Sequence, residues 1–262
     1  MKDQTPTLRS DDGLAVRDLT VAYQGVPAAT DVQLAAPLGC ITGLIGPNGA
    51  GKTTVFNAVS GLVRPTGGSI SIFGMDATHL SPSRRARLGL GRTFQIVEVC
   101  NQMTVRENVS LGLEALLVGG SVLRHLRVSR PERHTLQEQT SQALEMCGIT
   151  QLESQPVASL STGQRRLVEL ARVVAGGFRL LLLDEPTSGL DSTESHTIGE
   201  ILREIVAHHG VGVLLVEHDM QLVMRICSYI YVLDFGQPIF EGTPGEVQAS
   251  PEVRAAYLGV HT

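Results

Sequence analysis

The segment from Gly46 to Thr54 constrains the fold of this chain more than any other. It reads GPNGAGKTT and matches the pattern Gly-x4-Gly-Lys-Thr, which forms a phosphate-binding loop between a buried strand and a helix. The apolar run CITGLI precedes the loop, and a helical pattern running toward Gly61 follows it. We therefore predict a nucleotide-binding core in which this loop joins a central strand to a helix.

The residue types of the loop suit the binding of nucleotide phosphates. Glycines let the backbone turn its N–H groups inward, and the helix N-terminus adds a partial positive charge. Lys52 supplies a charge for the β- and γ-phosphates, and Thr53 supplies a hydroxyl for Mg²⁺. The pattern by itself does not distinguish ATP from GTP, or a hydrolase from a kinase. The predicted nucleotide-binding residues of the loop are Gly46, Asn48, Gly49, Gly51, Lys52, Thr53 and Thr54.

Short apolar runs alternate with longer helical patterns over most of the chain. Runs such as LLLL and VGVLLV are typical of parallel strands that are buried on both faces. This alternation predicts a layered α/β core with a sheet flanked by helices. The strand candidates are Leu14–Tyr23, Ile41–Ile45, Ser69–Phe73, Leu180–Asp184, Val211–Val216 and Tyr229–Leu233.

The middle of the chain has a different pattern, without strand candidates. The segment from Thr104 to Glu107 is a capping-box signature that opens a run with helical spacing. A second helix is predicted from about Thr135 to Cys147, with Gly148 as its terminator. We therefore predict an α-helical subdomain at residues 96–160, inserted into an α/β core made of residues 12–95 and 161–262.

Two adjacent carboxylates follow the apolar strand LLLL, where open α/β sheets place their ligand chemistry. Asp184 is suited to Mg²⁺, through a water molecule. Glu185 is suited to activation of the attacking water, a role worth ~10²–10⁴-fold in rate. A P-loop kinase is the alternative, although no acceptor-substrate site is identifiable in the sequence.

Composition excludes several classes of protein. The net charge of −5 and the pI of about 5.9 give no overall basic field for nucleic acid. Four widely spaced cysteines without a CxxC pair indicate reduced thiols in a cytosolic protein. The polar N-terminus is unlike a signal peptide, and no apolar run approaches the ~20 residues of a membrane helix. We expect any membrane span to belong to another polypeptide.

The segment LSTGQRR at residues 160–166 indicates the class of nucleotide-binding protein. Together with GPNGAGKTT and LLLLDEPTSGLD, in this order, it resembles the ATP-binding subunits of ABC transporters. The resemblance implies that two such subunits close head to tail over ATP and Mg²⁺. The Ser161 hydroxyl and the Gly163 N–H would then contact the γ-phosphate held by the partner, with Gln164 in the same motif. Thr162 replaces the glycine of the commonest form of this motif, which keeps the backbone donor but narrows the space.

A structural interpretation of the same segment is compatible with that role. Ser161 and Gln164 are spaced as a capping box for the helix that follows. A helix cap also fixes the position of the helix end, so both interpretations can hold.

Further residues take their predicted roles only from the resemblance. Tyr23 matches the aromatic residue that stacks on adenine. Gln95 matches the glutamine that senses Mg²⁺ and the attacking water, so the implied metal-binding residues are Thr53, Gln95 and Asp184. His218 matches the histidine that contacts the γ-phosphate, which makes Glu185, His218 and Gln95 the implied catalytic group. The segment SGLD at 188–191 matches the loop that touches the partner subunit.

A narrower resemblance points to a subgroup. The segments GLGRTFQ, MTVRENV and LLVEHDM, with the C-terminal tail at 242–262, resemble the ATPase subunits of importers for branched-chain amino acids, urea and short amides. This implies transmembrane permease subunits, a substrate-binding protein and a second ATPase subunit, identical or paralogous, at the cytoplasmic face of the plasma membrane. A soluble ABC ATPase, for example in iron–sulfur assembly, and an exporter ATPase remain alternatives.

The apolar residues indicate two contact surfaces that we expect in this subgroup. The stretch from Gln95 to Thr104, with Val97, Val99 and Met103, is the candidate surface for a permease, although internal packing explains these side chains equally well. The tail is predicted to form a final helix after Pro251, docked by Val253 and Tyr257.

Overall fold

The computed structural model describes residues 12–93, 99–118 and 130–258, without the side chains of 114–118, 130–133 and 258. The strands are β1 Gly13–Tyr23, β2 Val26–Pro37, β3 Ile41–Ile45, β4 Gly67–Ile72, β5 Met75–Asp76, β6 Leu90–Arg92, β7 Leu180–Asp184, β8 Gly212–Val216, β9 Tyr229–Asp234 and β10 Gln237–Gly242. The helices are α1 Lys52–Ser60, α2 Pro82–Leu88, α3 Val105–Val118, α4 Arg130–Met146, α5 Thr162–Ala175, α6 Ser192–His209, α7 Met220–Ile226, α8 Pro244–Ala249 and α9 Pro251–Leu258.

The strands form two sheets. The larger has the order β10-β9-β3-β8-β7-β6, with parallel pairing from β9 to β6 and an antiparallel edge strand β10. The smaller is antiparallel, with the order β2-β1-β4-β5. Parallel strands buried between helices explain the continuous apolar runs of the sequence. This architecture confirms the predicted α/β core with a mixed sheet and flanking helices.

The larger sheet separates two hydrophobic cores. Alternate residues of β7 face opposite sides, so that Leu181 and Leu183 join one core while Leu180 and Leu182 join the other. The second core also contains the fully buried Phe56 of α1 and the inner face of the smaller sheet. Strand β7 is therefore held from both faces, and its carboxyl end is a rigid platform for the residues that follow.

Helices occupy the middle of the chain. In the described part between residues 99 and 160 there are α3, α4 and two short 3₁₀ turns, without a regular strand. Helix α5 packs against both α3 and α4. The boundary at residue 161 between core and helical subdomain stays a prediction.

Helix α4 begins earlier than the sequence pattern indicated. It starts at Arg130 instead of about Thr135, because Pro131 is compatible with the first turn of a helix and need not precede it. Its predicted terminator is confirmed, since Gly148 has a left-handed φ of 65° and its N–H donates to the Glu145 carbonyl.

Four strands were missed by the sequence analysis. They are β2, the two-residue β5, the three-residue β6 and the edge strand β10. Strand β2 reads VPAATDVQLAAP, in which alanine and proline obscure the alternation of apolar and polar residues. The others are too short or too exposed to give a hydrophobic pattern.

The C-terminal helix reaches the phosphate-binding loop. Val253 of α9 is buried, as predicted, and Tyr257 is 38% exposed. Burial raises the pKa of Tyr257 to about 12, and a hydrogen bond with the Gly46 backbone opposes the shift. Across the described residues, no helix has the length and apolar character needed to cross a membrane.

Candidate nucleotide-binding and hydrolysis site

The parallel sheet brings the predicted site residues to one edge. Strands β3, β7 and β8 are neighbours that run in the same direction, so their carboxyl ends coincide. The phosphate-binding loop follows β3, Asp184 and Glu185 lie at the end of β7, and His218 follows β8. Residues far apart in the sequence therefore meet where open α/β sheets hold ligands.

A cavity of about 440 Å³ opens at the phosphate-binding loop. That volume is in the range of ordinary ligand pockets. It is lined by Pro27, Ala28, Asn48, Gly49, Ala50, Gly51, Lys52, Thr53, Thr54, Glu185, Phe235 and Gly236. Six of the seven predicted loop residues thus line the cavity, together with Glu185, and Gly46 is the exception.

Gly46 supports this loop from below. Its φ of 152° and the space around it require glycine, since an added Cβ would lie 2.9 Å from the Ala50 Cβ and closer still to the Leu233 carbonyl. Gly46 therefore allows the start of the loop to pack closely against β9.

Lys52 is buried at the base of the cavity. Its Nζ donates to the carbonyl oxygens of Gly46 at 2.7 Å and Pro47 at 2.9 Å. Burial lowers the pKa of Lys52, while Glu185 and Asp184 act in the opposite direction. Two carbonyl oxygens of the loop thus hold the ammonium group, and the same loop would bind a phosphate.

Asp184 is also buried, at the carboxyl end of strand β7 in the larger sheet. Burial raises the pKa of its carboxyl group, and Arg92 opposes this shift from 3.5 Å. The Asp184 N–H donates to the Thr93 hydroxyl at 3.2 Å, which ties β7 to the end of β6. Arg92 also donates to Asn57 at 2.9 Å and Ser60 at 2.6 Å, so it connects Asp184 to helix α1.

Glu185 has an unusual backbone conformation for a residue with a side chain. Its φ is 47°, in the left-handed region that side chains rarely adopt. The Glu185 N–H donates to the Val216 carbonyl at 2.8 Å, and its Oε2 lies 3.8 Å from the His218 Nδ1. Glu185 is among the residues that line the cavity, which is compatible with a base role in that space.

The site has donors suited to Mg²⁺. A hydroxyl oxygen of Thr53 and a carboxylate oxygen of Asp184 are the hard ligands that Mg²⁺ prefers, and this ion commonly takes only one or two protein ligands beside phosphates. Thr53 lines the cavity, and Asp184 is close enough to act on the charge of Lys52. The described residues contain no group of three or more His, Cys, Asp or Glu side chains that would hold a metal without a nucleotide.

Ser161 caps helix α5. Its hydroxyl accepts from the Gln164 N–H at 3.2 Å, and its own N–H donates to the Gln164 side chain at 3.0 Å. The structural interpretation of these two residues is confirmed. Both lie away from the cavity-lining set of this chain, and Ser161 is exposed. An exposed helix N-terminus of this kind is suited to an anion brought by another molecule.

Close packing explains why residue 163 is a glycine. An added Cβ there would lie 2.8 Å from the Glu194 Cδ. Glu194 belongs to the capping box of α6, which begins after Asp191. The glycine therefore lets α5 and the start of α6 approach closely.

Several of the predicted site residues are not among the described residues that line the cavity. Tyr23 is 46% exposed on β1 and is absent from the residues that line it. Gln95 and Val97 lie outside the described residues. Outside the predicted loop residues and Glu185, the cavity is lined by Pro27, Ala28, Ala50, Phe235 and Gly236.

Sequence reasoning overlooked two charged residues of this region. Arg92 and Glu217 are mostly or fully buried and bond to residues of the site. The available signal for Glu217 was its position directly after the apolar strand β8 and before His218. Its burial could not be deduced from that position, because carboxylates at strand ends are usually exposed.

Comparison with protein families gives two matches. The model described as "ABC transporter" matches residues 29–188, which is more than half of the chain. The model described as "Branched-chain amino acid ATP-binding cassette transporter" matches residues 237–262. The first match spans the phosphate-binding loop and the two carboxylates, and the second spans β10, α8 and α9.

Individual relatives agree with these matches. The high-affinity branched-chain amino acid transport ATP-binding protein LivG of Salmonella typhimurium is 38% identical over 249 residues, covering 94% of this chain and 97% of the relative. An ATP-binding cassette of an ABC transporter solved in its ADP conformation has a TM-score of 0.82 at 27% identity, covering 95% of this chain and 99% of that one. A dimeric bacterial ABC transporter cassette has a TM-score of 0.75 at 25% identity, covering 88% and 98%.

The nucleotide site, the fold and these similarities lead to one assignment. A phosphate-binding loop, two carboxylates and the LSTGQ segment with its exposed Ser161 occur in this chain, and the matching family model covers more than half of it. The chain belongs to the ABC transporter family, as an ATP-hydrolysing subunit.

Proposed function

We propose that this subunit drives the import of branched-chain amino acids, with a second ATPase subunit, membrane permease subunits and a substrate-binding protein. The single observation that carries this proposal is the likeness to LivG over nearly the full length of both chains. The C-terminal match at residues 237–262 to the branched-chain amino acid type also supports it.

The proposed mechanism begins with ATP on the phosphate-binding loop. Lys52 and the loop N–H groups hold the phosphates, and Tyr23 stacks on the adenine from the exposed end of β1. Thr53, Gln95 and Asp184 would hold Mg²⁺, which supplies charge neutralisation at the phosphates when bound. Gln95 is assigned only by resemblance.

The hydrolytic step uses the residues beyond β7 and β8. Glu185 accepts a proton from the attacking water, and its position on the cavity wall supports this role. His218, 3.8 Å from the Glu185 carboxylate, contacts the γ-phosphate. Binding and loss of this phosphate then shift the population between closed and open pairs of subunits.

The second half of each ATP site comes from the partner subunit. Ser161, Gly163 and Gln164 stand at the N-terminus of α5, outside the cavity of their own chain. This separation supports a head-to-tail pair, in which each α5 N-terminus meets the nucleotide of the other chain. The partner is a second copy or a related chain.

A cleft beside the sheet is the proposed permease contact. It has a volume of about 390 Å³ and lies between the core and helices α3 and α5. Leu62 at its rim is 53% exposed. Val99 packs against the core and is less suited to this role than the sequence suggested. Other residues of the cleft are Ser60, Pro82, Ser83, Ala86, Leu90, Arg92, Thr93, Gly112, Glu169, Arg172, Val173 and Phe178.

Transport in proteoliposomes tests the proposed function. This subunit is expected at the cytoplasmic face of the membrane. It is purified from native membranes together with its membrane partners, and the complex is reconstituted into liposomes with ATP on the side that carries this subunit. We expect ATP-dependent uptake of labelled leucine, isoleucine and valine in the presence of the binding protein. Uptake of urea or amides instead, movement in the opposite direction, or purification without any membrane protein would contradict the proposal.

The cleft is tested separately by a charged substitution. Leu62→Asp should leave ATP hydrolysis by the isolated subunit unchanged and prevent co-purification with the permease. Met75→Asp is the matched control, because Met75 is 48% exposed on β5 outside the cleft. Normal assembly of the Leu62 variant would exclude this surface.

A further inference from the structure

We infer that Glu217 is a positioning residue for ATP hydrolysis, which holds the main chain at His218 and the loop after Glu185 in one fixed relation. This inference rests on the catalytic roles proposed above for Glu185 and His218. It adds a residue that is not among those lining the cavity.

Glu217 is completely buried, and its two oxygens bond to different segments of the chain. Oε1 accepts from the N–H of Thr187 at 2.9 Å and from its hydroxyl at 2.7 Å. Oε2 accepts from the N–H groups of His218 at 3.1 Å and Asp219 at 3.4 Å. Four donors from the two loops that follow β7 and β8 therefore converge on one carboxylate.

The burial of this carboxylate calls for an explanation beyond packing. Removing a charge from water is unfavourable unless hydrogen bonds compensate for it, and an apolar side chain would fill a core position more simply. An apolar residue here would, however, leave the donors of Thr187, His218 and Asp219 without this acceptor. The carboxylate is suited to a position where two separate loops must be held together.

The segments held by Glu217 carry the hydrolytic residues. Thr187 lies two residues after Glu185 and begins the turn to the loop at 188–191, with the Leu190 N–H bonded to its carbonyl at 3.1 Å. His218 is adjacent in sequence, and its Nδ1 is 3.8 Å from a carboxylate oxygen of both Glu185 and Glu217. One buried side chain thus links the base, the histidine and the partner-facing loop.

The position of His218 depends on this support. Its side chain is 61% exposed, so the position of the imidazole depends more on the main chain than on packing against neighbouring side chains. A shift of the main chain would alter the 3.8 Å separation from Glu185. Misplacement by about 1 Å in an active site can reduce a rate by ~10²-fold.

Glu217→Gln is the principal test. The amide group keeps one acceptor oxygen but turns its NH₂ toward donors, so one pair of bonds is lost with little change in volume. We expect kcat for ATP hydrolysis to fall by roughly 10- to 100-fold while KM for ATP stays within about twofold, because the phosphate-binding loop is untouched. Glu204→Gln, an exposed residue of α6, is the matched control.

Substitutions of Thr187 test the same link from its other end. Thr187→Val removes the hydroxyl donor and should also lower kcat, whereas Thr187→Ser keeps the donor and should restore most of it. The double variant Glu217→Gln/Thr187→Val should lose less than the product of the two single effects, because both act on one set of hydrogen bonds.

All rates are expressed per folded molecule, with folding followed by circular dichroism. A kcat of Glu217→Gln within twofold of the wild type overturns the inference, and so does a loss accounted for by a smaller folded fraction. Glu185→Gln is measured in parallel. Normal turnover of that variant would refute the proposed catalytic base, whereas an inactive Glu185→Gln with a normal Glu217→Gln would refute only the role of Glu217.

Discussion

At the scale of single residues, the backbone of Glu185 limits which substitutions are informative. Its φ of 47° is compatible with glutamine at a similar energy, but a β-branched residue would add strain unrelated to chemistry. Glu185→Gln therefore removes the base without also changing the loop conformation.

We predict that Glu185→Gln retains ATP binding and loses most hydrolysis. Removal of a general base should lower kcat by about 10²- to 10⁴-fold. Release of phosphate measures the rate, and calorimetry measures ATP binding. Hydrolysis at the wild-type rate would show that another group activates the water.

Lys52→Ala should weaken ATP binding by about 10- to 100-fold, since a hydrogen bond to a charged group contributes roughly 1.5–3 kcal/mol. The chain has two lysines, so Lys2→Ala is a natural control. Isothermal titration of ATP into each variant checks the prediction. Equal affinities in the Lys52 variant and the wild type would exclude a phosphate contact.

At the scale of elements, helix α5 combines a structural role with a proposed catalytic one. The Ser161 hydroxyl caps its N-terminus, and Ser161→Ala should reduce the free energy of unfolding by about 1 kcal/mol. Aspartate and asparagine are also good N-caps, so they preserve the helix while changing its charge. These substitutions separate the cap from the proposed phosphate contact.

We predict different results for Ser161→Asp and Ser161→Asn in the Glu185→Gln background. Both should unfold in urea near the midpoint of the parent. Only the aspartate variant should fail to dimerise with ATP in size-exclusion chromatography, because its charge repels the γ-phosphate of the partner. ATP-dependent dimers of the aspartate variant would place this segment away from the nucleotide.

How much of this structure is predictable from sequence differs between its elements. Strands β3, β7 and β8 are predictable because burial on both faces gives uninterrupted apolar runs. Strand β6 is three residues long and depends on pairing with β7, which is distant in sequence. In the same way, the position of Asp184 is predictable from the end of β7, but its ion pair with Arg92 depends on that long-range pairing.

At the scale of the whole molecule, the two hydrophobic cores determine which thiols are reactive. Cys147 and Cys227 belong to the core on one face of the larger sheet, and burial raises the pKa of each to about 12. Both are therefore protonated thiols at pH 8, whereas the thiolate is the nucleophile. Cys100 is exposed and Cys40 is partly buried.

We predict that iodoacetamide at pH 8 modifies Cys100 first and Cys40 next in the native protein. Cys147 and Cys227 should react only after denaturation, and raising the pH to 9 should leave them unmodified, since their pKa values remain well above it. Peptide mass spectrometry identifies the modified sites. Early labelling of either core cysteine in folded protein would contradict the packing described above.

The hydrogen bond between Tyr257 and Gly46 makes helix α9 a structural neighbour of the phosphate-binding loop. Helix α9 is far from the loop in sequence, yet any displacement of it bears on the first glycine of the GPNGAGKTT segment. Affinity tags, fluorophores and truncations placed at the carboxyl terminus should consequently alter apparent ATP affinity, and kinetic work on this subunit is better done with that terminus unmodified.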